Sequence, residues 1–216
     1  MSTKISKLYN KDKFFMSLAF DLARTKLGLT GTNPAVGCVI VGNNNKILSV
    51  GSTGIGGKPH AEKNAIKSSI ENLNGSTLYS TLEPCVHFGK SPPCTSAIIK
   101  SGIKKVIFSL NDIDARVKNR SKKILSKKGI SVKENLLIDK AKIFYNSYRI
   151  NRKYKIPYIT GKIAVTKNNV IYSNQTKKIT SIQSDKLSHY LRYKNDSILI
   201  SSKTANIDNP RLDCRL

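Results

Sequence analysis

Between His60 and Cys94 the chain sets out one imidazole, two thiols and a carboxylate: His60-Ala61-Glu62, then Glu83-Pro84-Cys85, then Cys94 behind Pro92-Pro93. Only a fold that brings separate elements to one point can use them together. His60, Cys85 and Cys94 are the ligand types of a tetrahedral zinc site that keeps its fourth position open, where the metal lowers the pKa of a water toward ~7. Glu62 is two residues from His60, too close in sequence to serve as a convenient second ligand. Its expected task is proton transfer.

The flanking patterns predict which elements gather these residues. Phe14, Leu18 and Leu22, with Phe15 and Ala19 beside them, give an apolar helical face from about Lys11 to Lys26, closed by Gly28. Val36 to Val41 and Ile47 to Val50 flank the turn Asn43-Asn44-Asn45 and read as a strand pair. A glycine-rich loop, Gly51 to Gly57, lacks the lysine spacing of a P-loop and leads into a helix from Ala61 to about Ile70. His60 and Glu62 therefore sit at a helix start, where the dipole favours an ionised carboxylate. Thr77 to Leu82 reads as a strand delivering Cys85, and Pro92-Pro93-Cys94 opens the next helix. Both cysteines are expected where thiolates are favoured. Lys105 to Leu110 (strand), Ser121 to Lys128 (helix), Ile130 to Val132 (strand) and Leu136 to Tyr148 (helix) complete a three-layer α/β/α domain over residues 1–148. Arg149 to Lys155 reads as a linker, and 156–216 as the start of a second unit with strands at Pro157 to Val165 and Ser197 to Ile200 and a helix at Ser181 to Tyr193.

His-x-Glu followed by Pro-Cys and a further Cys matches the signature of zinc nucleobase deaminases, with one departure. Eight residues separate Cys85 from Cys94, where the generic pattern has two. Composition excludes other classes. Four cysteines in 216 residues do not build a secreted disulfide framework, no apolar run is long enough to cross a membrane, and Met1 to Lys13 has no signal-peptide character, so the expected setting is the cytoplasm. The formal charge of +25 invites a nucleic-acid partner, but the lysines are spread along the chain instead of clustering on one element.

The longer spacing carries a resemblance. Thr81-Leu82-Glu83-Pro84-Cys85-Val86-His87-Phe88-Gly89-Lys90-Ser91-Pro92-Pro93-Cys94, with Asn33-Pro34-Ala35-Val36-Gly37-Cys38-Val39-Ile40-Val41 before it, resembles the bifunctional deaminase/reductases of riboflavin biosynthesis. The resemblance implies a cytidine-deaminase-like fold followed by an α/β reductase unit of the dihydrofolate-reductase kind. It also implies hydrolytic deamination of a phosphoribosylated diaminopyrimidine and NADPH-dependent reduction of its ribose. Asn33, His87, Lys90 and Ser91 would contact the deaminase substrate, the last two gripping its phosphate, while Thr53 stands where the family often has an aromatic residue or His. In the second unit, Pro157 to Ala164, Leu191-Arg192 and Asp208-Asn209-Pro210-Arg211-Leu212 resemble the opening of the reductase. There Ala164, Lys178, Thr204 and Asp208 would contact NADPH, and Thr176, Arg192, Leu212 and Arg215 the reductase substrate. Lys167-Asn168-Asn169 replaces the family's Leu-Asp-Gly, and Lys178 a common Trp. Reductase units of the family run well past the equivalent of Leu216, so the second unit is expected to be incomplete. The resemblance further implies self-association. Two other functions remain open at this stage: a tRNA adenosine deaminase, and an inactive remnant that only binds.

Overall fold

The computed structural model describes residues 2–88, 92–171 and 179–215 and divides the chain into two units, 1–158 and 159–216. In the first unit, α1 (Ser2–Arg24) precedes β1 (Gly37–Val41) and β2 (Ile47–Ser52), and a short 3-10 turn (Ile55–Gly57) leads to α2 (Ala61–Ser68). Then follow β3 (Thr77–Ser80), α3 (Cys94–Lys100), β4 (Lys105–Phe108), α4 (Ser121–Ser126), β5 (Ser131–Lys133), α5 (Ile138–Phe144) and α6 (Asn146–Tyr154). The five strands lie in the order β2-β1-β3-β4-β5. β1 pairs antiparallel with both β2 and β3, whereas β3, β4 and β5 run parallel, the arrangement expected when strands alternate with crossover helices.

Helices cover both faces of this mixed sheet, and the alternation of β1 shows why. Its apolar run is buried at every position, as a strand covered on both sides must be. Gly37 faces α1: a Cβ there would lie 1.8 Å from the carbonyl oxygen of Ala19. Cys38 pairs with Gly51 on the opposite face, where a Cβ on Gly51 would lie 2.4 Å from both the Ala61 oxygen and the Ala65 nitrogen of α2. Glycine at 51 thus lets the helix that carries Glu62 settle onto the sheet. Gly51→Ala is expected to force the two apart and to lower stability by about 1–3 kcal/mol, read as a fall in the urea midpoint; an unchanged midpoint would show that this close approach is not needed.

The first helix begins at Ser2, earlier than the expected Lys11, because neither Gly nor Pro interrupts the intervening stretch. Its buried face is Phe15, Met16, Ala19, Phe20 and Ala23; Phe14 is mostly exposed, and Leu18 and Leu22 flank the core. The four-residue period was legible, but the stripe is rotated by about one position. The expected helix over Leu136 to Tyr148 breaks at Tyr145, which separates α5 from α6. The buried Tyr145 hydroxyl lies 2.6 Å from Thr81 Oγ1 and donates to the Ala35 carbonyl at 3.1 Å, tying these helices to the ends of β3 and β1. Arg149 to Lys155, read as a linker, is largely the second half of α6, since its residues continue the helical hydrogen bonding up to a left-handed Lys155.

The second unit contains α7 (Ile182–Lys194) and α8 (Ser202–Asp208). Each begins at a serine whose hydroxyl accepts a backbone N–H, Ser181 from Ser184 at 3.2 Å and Ser201 from Thr204 at 3.1 Å. The strands expected at Pro157 to Val165 and Ser197 to Ile200 do not form, and among the described residues of this unit none is buried. A strand requires neighbours to take its N–H and C=O groups, and among the described residues no strand pairs with these segments.

Candidate metal and active site

Three element ends meet at the site. His60 caps α2 in extended conformation, Cys85 follows β3, and Cys94 is the first residue of α3. The ligand atoms of the three lie within 4.8 Å of one another, and among the described residues no other cluster of His, Cys and carboxylate groups does so. His60 Nδ1 is 3.5 Å from Cys85 Sγ and 3.3 Å from Cys94 Sγ. Tetrahedral zinc, with bonds of about 2.3 Å to sulfur and about 2.0 Å to nitrogen, spaces such a pair about 3.6 Å apart, so the donor set fits zinc in number, type and separation. The Cys94 backbone N–H donates to Cys85 Sγ at 3.2 Å, and Thr95 N–H and hydroxyl both donate to the Cys85 carbonyl, at 3.2 and 3.3 Å. The loop between the cysteines is thereby closed at its base.

Without a cation the two thiols divide one negative charge. The hydrogen bond from Cys94, reinforced by His60, draws the Cys85 pKa well below the usual thiol value, while that same neighbour and burial push Cys94 up. A bound cation would supply the charge that favours the thiolate form of both. The His60 pKa is raised, chiefly by its hydrogen bond to Cys85. Glu62 is buried in the first turn of α2, and desolvation, helped by the Cys85 charge, raises its pKa to about 7. The helix start was expected to keep this carboxylate ionised, but burial outweighs the dipole. A carboxyl group poised near neutrality suits a proton carrier.

His60, Glu62 and Cys85 open into a cavity of about 240 Å³ that Asn33, Thr53 and His87 also line. Asn33 packs over Gly57, whose φ of 88° and lack of a Cβ make the room: a Cβ there would fall 2.2 Å from Asn33 Nδ2. The Thr30 hydroxyl donates to the Asn33 carbonyl at 2.7 Å, so the Asn-Pro turn is structural as well as part of the wall. The Thr53 hydroxyl accepts the Val36 N–H at 2.9 Å. His87 Nδ1 is buried without a hydrogen-bond partner. Lys90, Ser91, Thr176 and Lys178 lie outside the described residues. In the second unit Arg192 Nη1 donates to the Asp213 carbonyl at 3.1 Å, the Arg215 N–H donates to His189 Nδ1 at 3.0 Å, and Leu212 between them is left-handed. Arg192, Leu212 and Arg215 are thus gathered. Ala164 is half-buried, Asp208 ends α8, and the Thr204 hydroxyl is engaged by Ser201 at 3.1 Å, so nothing on these residues yet describes a common cofactor surface.

Sequence reasoning missed part of the cavity lining. Asp112, Asp114 and Arg116, from the loop after β4, line the cavity together with Tyr148 and Arg152 of α6. The signal was available, because ligand sites in sheets of this kind collect beyond the carboxyl ends of parallel strands. Glu83 holds that loop: its buried carboxylate accepts the N–H groups of Asp112, Asn119 and Ser121, each at 3.1 Å, and the Ser121 hydroxyl at 2.9 Å. Glu83→Ala leaves these donors without an acceptor and is expected to cost about 3 kcal/mol or more, seen as a lower urea midpoint; full retention of stability would remove Glu83 as the anchor of the loop.

Residues 9–110 match the cytidine and deoxycytidylate deaminase zinc-binding region. A diaminohydroxyphosphoribosylamino-pyrimidine deaminase of Buchnera aphidicola (subsp. Schizaphis graminum) is 50% identical over 127 residues, 59% of this chain and 86% of that protein. The chain belongs to this deaminase family. Its members here include longer relatives: the riboflavin biosynthesis protein RibD of Aquifex aeolicus is 38% identical over 206 residues, 94% of this chain but 58% of that protein. The crystal structure of a diaminohydroxyphosphoribosylaminopyrimidine deaminase/5-amino-6-(5-phosphoribosylamino)uracil reductase from Thermotoga maritima matches with a TM-score of 0.90 at 36% identity, covering 96% of this chain and 60% of that one. The chain thus spans less than two thirds of the length of these bifunctional deaminase/reductases.

Proposed function

We propose that the chain hydrolyses the ring amine of 2,5-diamino-6-(5-phosphoribosylamino)pyrimidin-4-one, releasing ammonia and leaving the corresponding uracil, a step of riboflavin biosynthesis. The observation that carries this is the meeting of a His/Cys/Cys cluster and a buried carboxylate at the end of one cavity, in a member of this deaminase family. His60, Cys85 and Cys94 would hold zinc, which when bound supplies Lewis acidity and a nucleophilic water at neutral pH. Glu62 takes one proton from the attacking water and gives it to the ring nitrogen, then carries the second, from the hydroxyl left on the carbon, to the departing amine. Its burial keeps these protons out of bulk solvent between the steps. Asn33 and His87 offer an amide and an unpartnered imidazole nitrogen to orient the pyrimidine edge, and Lys90 and Ser91 would meet the substrate from the loop between the cysteines.

The similarity to riboflavin proteins, together with the long Cys85 to Cys94 spacing, weighs against a tRNA adenosine deaminase. Among the described residues no helix is long and apolar enough to cross a membrane, and the four cysteines are unpaired, which fits a reducing cytoplasm. A reductase role for the second unit rests on the resemblance alone. There Ala164, Lys178, Thr204 and Asp208 would meet NADPH, and Thr176, Arg192, Leu212 and Arg215 the sugar phosphate. Self-association rests on the same ground. Ammonia release from the phosphoribosylated pyrimidine tests the deaminase, and NADPH oxidation in the presence of its product tests the reductase.

A further inference from the structure

The cavity is lined by two arginines from different elements, Arg116 from the loop after β4 and Arg152 from α6. Asp114 holds the Arg116 guanidinium in a fixed plane. Nε donates to Oδ1 at 2.9 Å and Nη2 to Oδ2 at 2.6 Å, and the Arg116 backbone N–H adds a third bond to Oδ1 at 3.0 Å. Nη1 takes no part in that fork, and the Arg116 side chain is mostly exposed. Arg152 stacks over the Tyr148 ring at 5.7 Å, and its Nε is buried without a hydrogen-bond partner. The Tyr148 hydroxyl donates to Asp112 Oδ1 at 2.9 Å, so that carboxylate already has a donor. Lys58 lines the same cavity, so three cations, Lys58, Arg116 and Arg152, stand there beside Glu62, Glu83, Asp112 and Asp114.

A pyrimidine whose reacting carbon lies beside His60 and Glu62 has its remaining substituents to place against the rest of the cavity lining. A guanidinium with a fixed plane is the group best matched to a phosphate, and a buried N–H without an acceptor is a site awaiting one. Resting on the deaminase assignment above, we propose that Arg116 and Arg152 bind the phosphate of the phosphoribosyl substituent and make the enzyme selective for phosphorylated substrate. Asp114 is then a positioning residue that aims Arg116.

The test compares kcat/KM for the phosphoribosylated pyrimidine with that for its dephosphorylated ribosyl counterpart, using the full zinc-loaded chain and the variants Arg116→Ala, Arg152→Ala and Arg116→Lys. The expected result is that the ratio of the two falls by about tenfold or more in each alanine variant, mainly through KM for the phosphorylated substrate. Arg116→Lys keeps the charge without the fork and recovers part of the ratio. Competitive inhibition by inorganic phosphate should weaken in parallel, with zinc content unchanged. Equal losses on both substrates, or an undiminished ratio, would overturn the assignment of these two arginines while leaving the deaminase intact. Release from neither substrate by the unaltered protein would instead overturn the deaminase assignment, and this proposal with it.

Discussion

Glu62→Gln lowers ammonia release by a factor of about 10²–10⁴ while zinc stays bound, because the amide keeps the size of the side chain and cannot carry a proton. Glu62 is not among the three clustered ligands, so its replacement should not empty the metal site. It is buried at the start of α2, and its carboxyl is raised to about 7 by desolvation, which suits it to carry a proton at neutral pH. Zinc content by atomic absorption and turnover by ammonia detection separate the two effects. If zinc is lost together with activity, Glu62 is a ligand or a support for the ligands; if activity survives, the proton moves by another route.

Removal of the metal is expected to have the second large effect. His60, Cys85 and Cys94 come from the start of α2, the end of β3 and the start of α3, so a bound ion ties three elements together. Cys94→Ser should reduce zinc from one per chain to near zero and abolish turnover, and a chelator should do the same to the unaltered protein, reversibly on addition of zinc. Stability should fall as well: a ligand present at a hundred times its dissociation constant adds about 2.7 kcal/mol, which its removal takes away. Turnover that is indifferent to chelation, in protein shown to be free of zinc, would contradict the assignment of these residues.

Much of this site could be read from the chain. His60, Glu62, Cys85 and Cys94 were legible because zinc chemistry restricts residue type and spacing together, and the strand and helix patterns around them placed each at an element end. The separations that bring His60 Nδ1 within 3.5 Å of Cys85 Sγ and 3.3 Å of Cys94 Sγ were not legible, because spacing along the chain does not report them. Arg152 reaches the cavity only because the chain breaks at Tyr145 and α6 starts anew, a consequence of the Tyr145 hydroxyl's bonds to Thr81 and Ala35. Arg116 reaches it because Glu83, which reads from sequence as a mere neighbour of Cys85, gathers the backbone of the loop that carries it. In the second unit the helix expected at Ser181 to Tyr193 forms as α7, whereas α8 was not anticipated. The strands expected there were not realised, since β-patterned segments take that form only when partners complete the ladder.

The most direct test is ammonia release from 2,5-diamino-6-(5-phosphoribosylamino)pyrimidin-4-one by the purified, zinc-loaded full chain, with tRNA offered in parallel. The expected result is one ammonia per pyrimidine consumed and none from tRNA. Silence on the pyrimidine, with zinc bound and Glu62 in place, would contradict the deaminase assignment at its centre.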